Sequence, residues 1–139
     1  MENNIYLDTN IFIDLMDSTR PFSKGSFSLL RHFTTEGKNL YINSDTVTNA
    51  FYILSKTKHY TPAELIQIMK KMVSLFMVIA IENDKIMSAL TLCGDESTSF
   101  KDYEDALQYV CAKKIGADLI VTNDKGFISP DIQVKNTNN

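Results

Sequence analysis

Four short apolar runs divide this chain, and the stretches between them carry helical spacing. The runs are NIYLD at 4–8, NLYINS at 39–44, FMVIAI at 76–81 and ADLIVT at 117–122. Each is too short to be a helix and is bounded by polar residues or glycine, so each reads as a buried strand. TNIFIDLMD follows the first with Ile11, Phe12 and Leu15 at helical spacing. PFSKGSFSLLRHFTTEG predicts a helix from Phe22, with Phe27, Leu30 and Phe33 on one face and Gly37 as its stop. Ser44 and Asp45 are expected to cap a helix over TVTNAFYILSK, and Thr61-Pro62 opens another over AELIQIMKKMVSLF. ENDKIMSALTLC runs as a helix to Gly94, KDYEDALQYVCAKKIG is the last helix, and DIQVKN reads as a short edge strand. Strands separated by helices pair in parallel and bury both faces. The expected fold is therefore α/β: a three-layer sandwich with a central, mainly parallel sheet of four to five strands flanked by helices. One domain over 1–135 and a polar tail at 136–139 account for the whole length.

Composition narrows the class. With 139 residues and 44% hydrophobic content the chain can bury a core without covalent staples. A formal charge of −3 gives no bulk attraction for a polyanion, so nucleic-acid contacts have to come from local lysines. Cys93 and Cys111 lack metal-ligand spacing and read as reduced core thiols. The most apolar run, VSLFMVIAI, has about half the length a bilayer requires. MENNIYLD lacks the basic-then-apolar order of a secretory signal, so a cytoplasmic protein with no membrane partner is expected.

A buried strand has no structural need for a carboxylate at its tip, yet the first strand ends in Asp8-Thr9-Asn10. The fourth strand ends similarly, in Thr122-Asn123-Asp124. Parallel sheets bind ligands beyond the carboxyl ends of their strands. The last helix has an apolar stripe of Phe100, Tyr103, Ala106, Leu107, Val110 and Cys111. Asp102 and Asp105 fall about 60° apart on one flank of it, and Glu104 falls on the other. Each acid has a bland explanation: Asp8 as a helix cap, Asp102 and Asp105 as favourable charges at a helix N-terminus, Asp124 as a turn residue. Their coincidence favours convergence instead. Carboxylates brought to 4 Å repel by about 4 kcal/mol per pair at an effective dielectric of 20. Such a group is stable when protons or a cation neutralise it, and oxygen donors select Mg²⁺ or Mn²⁺.

These segments resemble the PIN-domain family of Mg²⁺/Mn²⁺-dependent ribonucleases, which includes the VapC-type toxins. The resemblance runs through YLDTNIFIDL, DTVTNAFYIL and DYEDALQYVCAKKIGADLIVTNDKGF. It implies that Asp8, Asp105 and Asp124 are catalytic and hold one or two Mg²⁺ or Mn²⁺ ions. Thr9 and Thr122 would orient carboxylates or a scissile phosphate, with Asn10 and Asn123 in support. The sequence departs from the family pattern at Asn49, where a Glu is usual. Asn49 keeps an oxygen donor but loses a charge, and Asp102 is expected to compensate in part. The implied reaction is hydrolysis of RNA phosphodiesters, and the implied partners are RNA, an antitoxin protein and a second copy in a homodimer. Lys101 and Lys125 are the expected RNA contacts. Lys56, Lys58, His59, Lys70 and Lys71 are explained as well by solvated helix faces. A haloacid-dehalogenase-like phosphatase would need an acid where Asn10 stands, and a receiver domain lacks its Asp and Lys. A PIN fold that binds nucleic acid or protein without cutting stays open as the alternative.

Overall fold

In the computed structural model, which describes residues 3–137, the four apolar runs and a fifth short one form a single sheet. The strands are β1 (Asn4–Leu7), β2 (Asn39–Asn43), β3 (Met77–Ile79), β4 (Leu119–Val121) and β5 (Gln133–Lys135). Their order is β3-β2-β1-β4-β5 and every pairing is parallel. The sheet is therefore an all-parallel member of the expected class. In register, Tyr6 lies between Tyr41 of β2 and Ile120 of β4. The chain builds outward from β1 through β2 to β3, then crosses to the other side for β4 and β5. The boundary between β1 and β4 is thus the switch point where parallel sheets open a crevice.

Alternation along β1 sorts the layers. Ile5 and Leu7 face one core with Phe12, Leu30, Phe33, Leu54 and Leu65. Those residues come from α1 (Thr9–Asp14), α2 (Ser23–Thr35), α3 (Ser44–Thr57) and α4 (Pro62–Val73). Tyr6 and Ile120 face the other side, against Cys111 and Ala112. There α5 (Asn83–Gly94) packs on α6 (Tyr103–Lys114). Two helical layers on a buried sheet explain why β1 and β4 are apolar at successive positions instead of alternating.

Local chemistry sets the element ends. Thr61 and Glu64 form a reciprocal capping box before Pro62. Gly37 takes φ +72° just beyond α2, the left-handed turn expected of it. The cap of α3 differs from expectation: Asn43, the last residue of β2, accepts the Thr46 N–H, while Ser44 and Asp45 already lie inside the first turn. Tyr103 is also more exposed than its place in the apolar stripe suggested, because α6 begins with it at a rim of the fold. Cys111 is fully buried and its thiol is pushed up to about 12 by burial, so both it and the half-buried Cys93 are free structural thiols.

Two contacts tie the chain's far segments together. A Cβ on Gly25 would stand 2.6 Å from the carbonyl oxygen of Thr137, so only glycine lets α2 pass this close. Thr137 is buried, and its N–H donates to Asn123 Oδ1 at 2.9 Å. The polar tail expected from 136 thus packs on the domain at least through Thr137, and residues 138–139 lie outside the described residues. Among the described residues, no helix is long and apolar enough to cross a membrane.

Candidate active site at the strand ends

Asp8 follows the last residue of β1 and is 4% exposed. It occupies the N-cap position of α1 but makes no side-chain cap bond, so capping does not account for it. Its carboxylate is instead held from both sides. Gln108 Nε2 donates to Oδ1 at 2.7 Å, and Thr122 Oγ1 donates to Oδ2 at 2.6 Å. Gln108, on α6, is itself fixed by two further donors. The Tyr6 hydroxyl and the Thr9 N–H reach its Oε1 at 3.1 and 3.2 Å. Asn43 Nδ2 then donates to the Tyr6 oxygen at 2.8 Å. The result is a buried chain of hydrogen bonds, Asn43–Tyr6–Gln108–Asp8–Thr122, that aims one carboxylate at the strand ends. Among the described residues no buried side-chain polar atom lacks a partner, as a rigid network of this kind demands.

The acids of α6 and of the β4 loop arrive beside Asp8 from the β4 side. Asp105 is half-buried and its carboxyl is pushed up to about 7, first by burial, then by the charge of Asp124, with Asp102 and Asp8 adding to it. Its side chain is also within hydrogen-bonding reach of Asp124. Asp124 N–H donates to Thr122 Oγ1 at 3.1 Å, so one hydroxyl links the Asp8 carboxylate to the loop that carries Asp124. Asp124 keeps a turn role as well, since its Oδ1 accepts the Gly126 N–H at 2.8 Å. Asp102 is the N-cap of α6, and its Oδ1 accepts the Asp105 N–H at 3.0 Å.

The opposite side of Asp8 holds a feature that helical phase alone did not reveal. Glu104, four residues before Gln108, stands on the same face of α6, one turn nearer its N-terminus. Its carboxyl is raised, first by burial and then by the charges of Asp8, Asp102 and Asp45, while the Thr9 hydroxyl lies close enough to oppose the shift. A cavity of about 150 Å³ opens here, lined by Thr9, Asn43, Asp45, Asn49, Glu104 and Gln108 among others. Asn49 is therefore placed on the α3 wall of the same crevice, across from Glu104.

The remaining expected residues divide. Thr9 Oγ1 is 2.9 Å from Thr46 Oγ1 and supports the α1–α3 contact, whereas Thr122 touches Asp8 directly. Asn10 accepts from Arg20, which is also paired with the buried Asp14 at 2.7 Å, so Asn10 braces the α1–α2 turn. Asn123 turns away toward Thr137. Lys125 lines a shallow cavity with Thr122 and Asp124, and Lys101 is exposed just before α6. Lys56 and Lys58 sit at the far end of α3, about 20 Å from the turn beside Asp8. A larger groove of about 810 Å³, lined by Met16, Lys24, Phe27, Arg31, His59 and others, contains none of the acids named above. Volume alone does not make it the chemical site.

Sequence reading missed Gln108, Tyr6, Asn43 and Glu104. A signal for Gln108 was present: an amide in the middle of the buried stripe between Leu107 and Cys111 must find a polar partner.

Acidic strand ends at the switch point of an all-parallel sheet define an α/β protein with a carboxylate crevice. The chain belongs to the PIN-domain family, whose sequence model matches residues 4–126. It is 36% identical over 134 residues to the ribonuclease VapC1 of Aquifex aeolicus, covering 96% of this chain and 90% of that protein. The fold is similar to a toxin–antitoxin complex from Klebsiella pneumoniae, with TM-score 0.70 at 20% identity over 96% of this chain and 97% of the other. It is also similar to VapBC2 of Rickettsia felis bound to a promoter DNA fragment, with TM-score 0.68 at 19% identity over 96% and 98%. VapC20 of Mycobacterium tuberculosis, a toxin that cleaves the sarcin-ricin loop, matches with TM-score 0.66 at 12% identity over 91% of each chain.

The family's divalent ion can be tested against the donors present. They are all hard oxygens, the kind that Mg²⁺ and Mn²⁺ accept. The Asp105 carboxyl is raised first by burial and then by the charge of Asp124, and a cation would relieve the second. Among the described residues, no three Asp, Glu, His or Cys side chains already form a group that could hold a metal ion. The crevice fits the ion in the chemistry of its donors, while its carboxylates as placed do not form such a group.

Proposed function

We propose that this chain is a divalent-cation-dependent endoribonuclease of the VapC kind, hydrolysing RNA phosphodiester bonds at the Asp8 crevice. The observation that carries this reading is the clamping of a buried strand-end carboxylate, Asp8, beside the Asp105–Asp124 pair. The 36% identity to a protein named as a ribonuclease supports it.

In this reading Asp8, Asp105 and Asp124 hold Mg²⁺ or Mn²⁺. When bound, the ion would activate water for attack and neutralise charge on the departing oxygen. The protein's part is positioning. Gln108 and Thr122 fix the direction of the Asp8 oxygens, which lowers the ordering needed when a ligand arrives. Thr122 also ties the Asp124 loop to Asp8 through one hydroxyl. Asp105 releases its proton near neutral pH, so the crevice gains negative charge where a cation would use it. Lys125, which lines a shallow cavity with Asp124, and the exposed Lys101 just before α6 would meet phosphates, the sequence-independent part of RNA affinity. An antitoxin protein and a second copy of the chain are the proposed protein partners, and a cytoplasmic setting goes with them. Phe51, Tyr52 and Ile66 are exposed apolar side chains that such partners would cover.

Asn49 favours a second reading, a PIN fold that binds nucleic acid or protein without cutting, because the family's usual acid is missing there. The test is cleavage of a mixed single-stranded RNA pool with Mn²⁺, comparing wild type, Asp8→Asn and an EDTA control. Cleavage lost in both controls is the expected result. Wild-type protein no more active than Asp8→Asn would overturn the enzyme reading and leave the binding one.

A further inference from the structure

We propose that Glu104, on α6, supplies the carboxylate that Asn49 lacks on α3, and so completes the cation-binding acids on the α3 side of the Asp8 crevice. This inference rests on the metal-dependent reading above.

Position carries the argument. Asp8 sits at the end of the central strand, with β2 and α3 on one side and β4 on the other. Asp105 and Asp124 occupy the β4 side. On the α3 side Asn49, a neutral donor, and Asp45 line a cavity that Gln108, the hydrogen-bond partner of Asp8, also lines. Glu104 enters that cavity from the opposite wall. Its placement follows from helix geometry: Gln108 reaches Asp8, and the residue four positions earlier lies on the same face one turn up. Asp105, about 100° further round, turns to the β4 side. Two successive acids of one helix turn thus straddle Asp8.

Glu104 also suits the role better than the other acids nearby. The Asp102 carboxylate is engaged in capping α6. Asp45, exposed like Glu104, lines the same cavity from the first turn of α3, but it is not on the helix that carries Gln108 to Asp8. Glu104 has no salt-bridge partner within 4 Å among the described residues.

The test is Mn²⁺ binding to the full chain, followed by titration calorimetry and by loss of the free-ion paramagnetic resonance signal. The variants are Glu104→Gln, Asn49→Glu, the two combined, Asp102→Asn and Asp8→Asn. Wild type should bind, and Glu104→Gln should weaken binding by about tenfold or more. Adding Asn49→Glu to Glu104→Gln should restore it, because the charge returns from the other wall of the same cavity. Thermal melts in EDTA would show that Glu104→Gln stays folded. Unchanged affinity in Glu104→Gln, alongside its loss in Asp8→Asn, would overturn this inference and leave the metal reading standing. A loss confined to Asp102→Asn would also overturn it. If wild type bound no Mn²⁺, or Asp8→Asn bound it equally well, the underlying reading would fail and this inference with it.

Discussion

Replacing Gln108 with methionine keeps the side chain's length and removes its amide, which isolates the buried network from packing. Three hydrogen bonds disappear: to Asp8 Oδ1 at 2.7 Å, from Tyr6 Oη at 3.1 Å and from Thr9 N–H at 3.2 Å. All three partners are buried. A buried polar group left without a partner costs about 1–3 kcal/mol. The simple sum overstates the loss, because Asp8 keeps Thr122 and the Tyr6 oxygen keeps Asn43. The expected destabilisation is about 2–4 kcal/mol. Urea unfolding in EDTA measures it: with a slope of about 2 kcal/mol per molar, the midpoint should fall by roughly 1–2 M at unchanged slope. Mn²⁺ affinity should fall in the same variant, since Asp8 loses one of its two anchors. A midpoint within about 0.3 M of wild type would refute the account of Gln108 as the hub. Gln108→Glu provides an internal check. It sets a second carboxylate against Asp8, so its destabilisation should grow as pH rises above the carboxylate range.

The folded chain holds the Asp105 proton up to about pH 7, against an ordinary value of 3.8. The stability from that proton is complete below about pH 4 and is lost as pH rises through 7. Asp105→Asn should therefore melt like wild type at about pH 4 and be more stable by about 1–2 kcal/mol at about pH 8 in EDTA, a figure reduced for solvent screening. Equal melting at the higher pH would contradict the crowding described for Asp105. Gly25→Ala should cost about 1–3 kcal/mol in thermal melts, because its Cβ would meet the Thr137 carbonyl backbone and not a movable side chain. A neutral result there would mean that α2 and the C-terminal segment are not in close contact. Asp14→Ala removes the partner of Arg20 and of the buried Ser26 hydroxyl, and should lower stability to urea by about 2–3 kcal/mol. A loss below 1 kcal/mol would demote that pair to an ordinary surface interaction.

Much of the fold was legible because β1 and β4 are buried on both faces, which leaves continuous apolar runs that few other structures explain. Strand order was not legible, because periodicity says nothing about which strand lies beside which. Asp8 stood out because an acid at a buried strand tip contradicts its surroundings. Helical phase does not extend to Asp102, which stands just before α6 and caps it. Phase set Glu104 and Asp105 on different flanks of α6, but phase gives relative angles only. The absolute rotation of α6 is fixed by Gln108 meeting Asp8, a contact between residues 100 positions apart. Asn43 was hidden because it serves at once as strand end, helix cap and donor to Tyr6.

That long-range character has a consequence for the chain during synthesis. The bond from Thr122 to Asp8 closes a separation of 114 residues, and β1 completes its pairing only when β4 arrives. Contacts so distant in sequence form late and slowly, since the closure entropy comes before the gain. A nascent chain that has emerged only as far as α5 carries Asp8 and Asn49 but neither anchor of the Asp8 carboxylate. On the proposed function, a ribonuclease built this way stays inert on the ribosome translating it. The proposed centre is incomplete until α6 and β4 have both emerged.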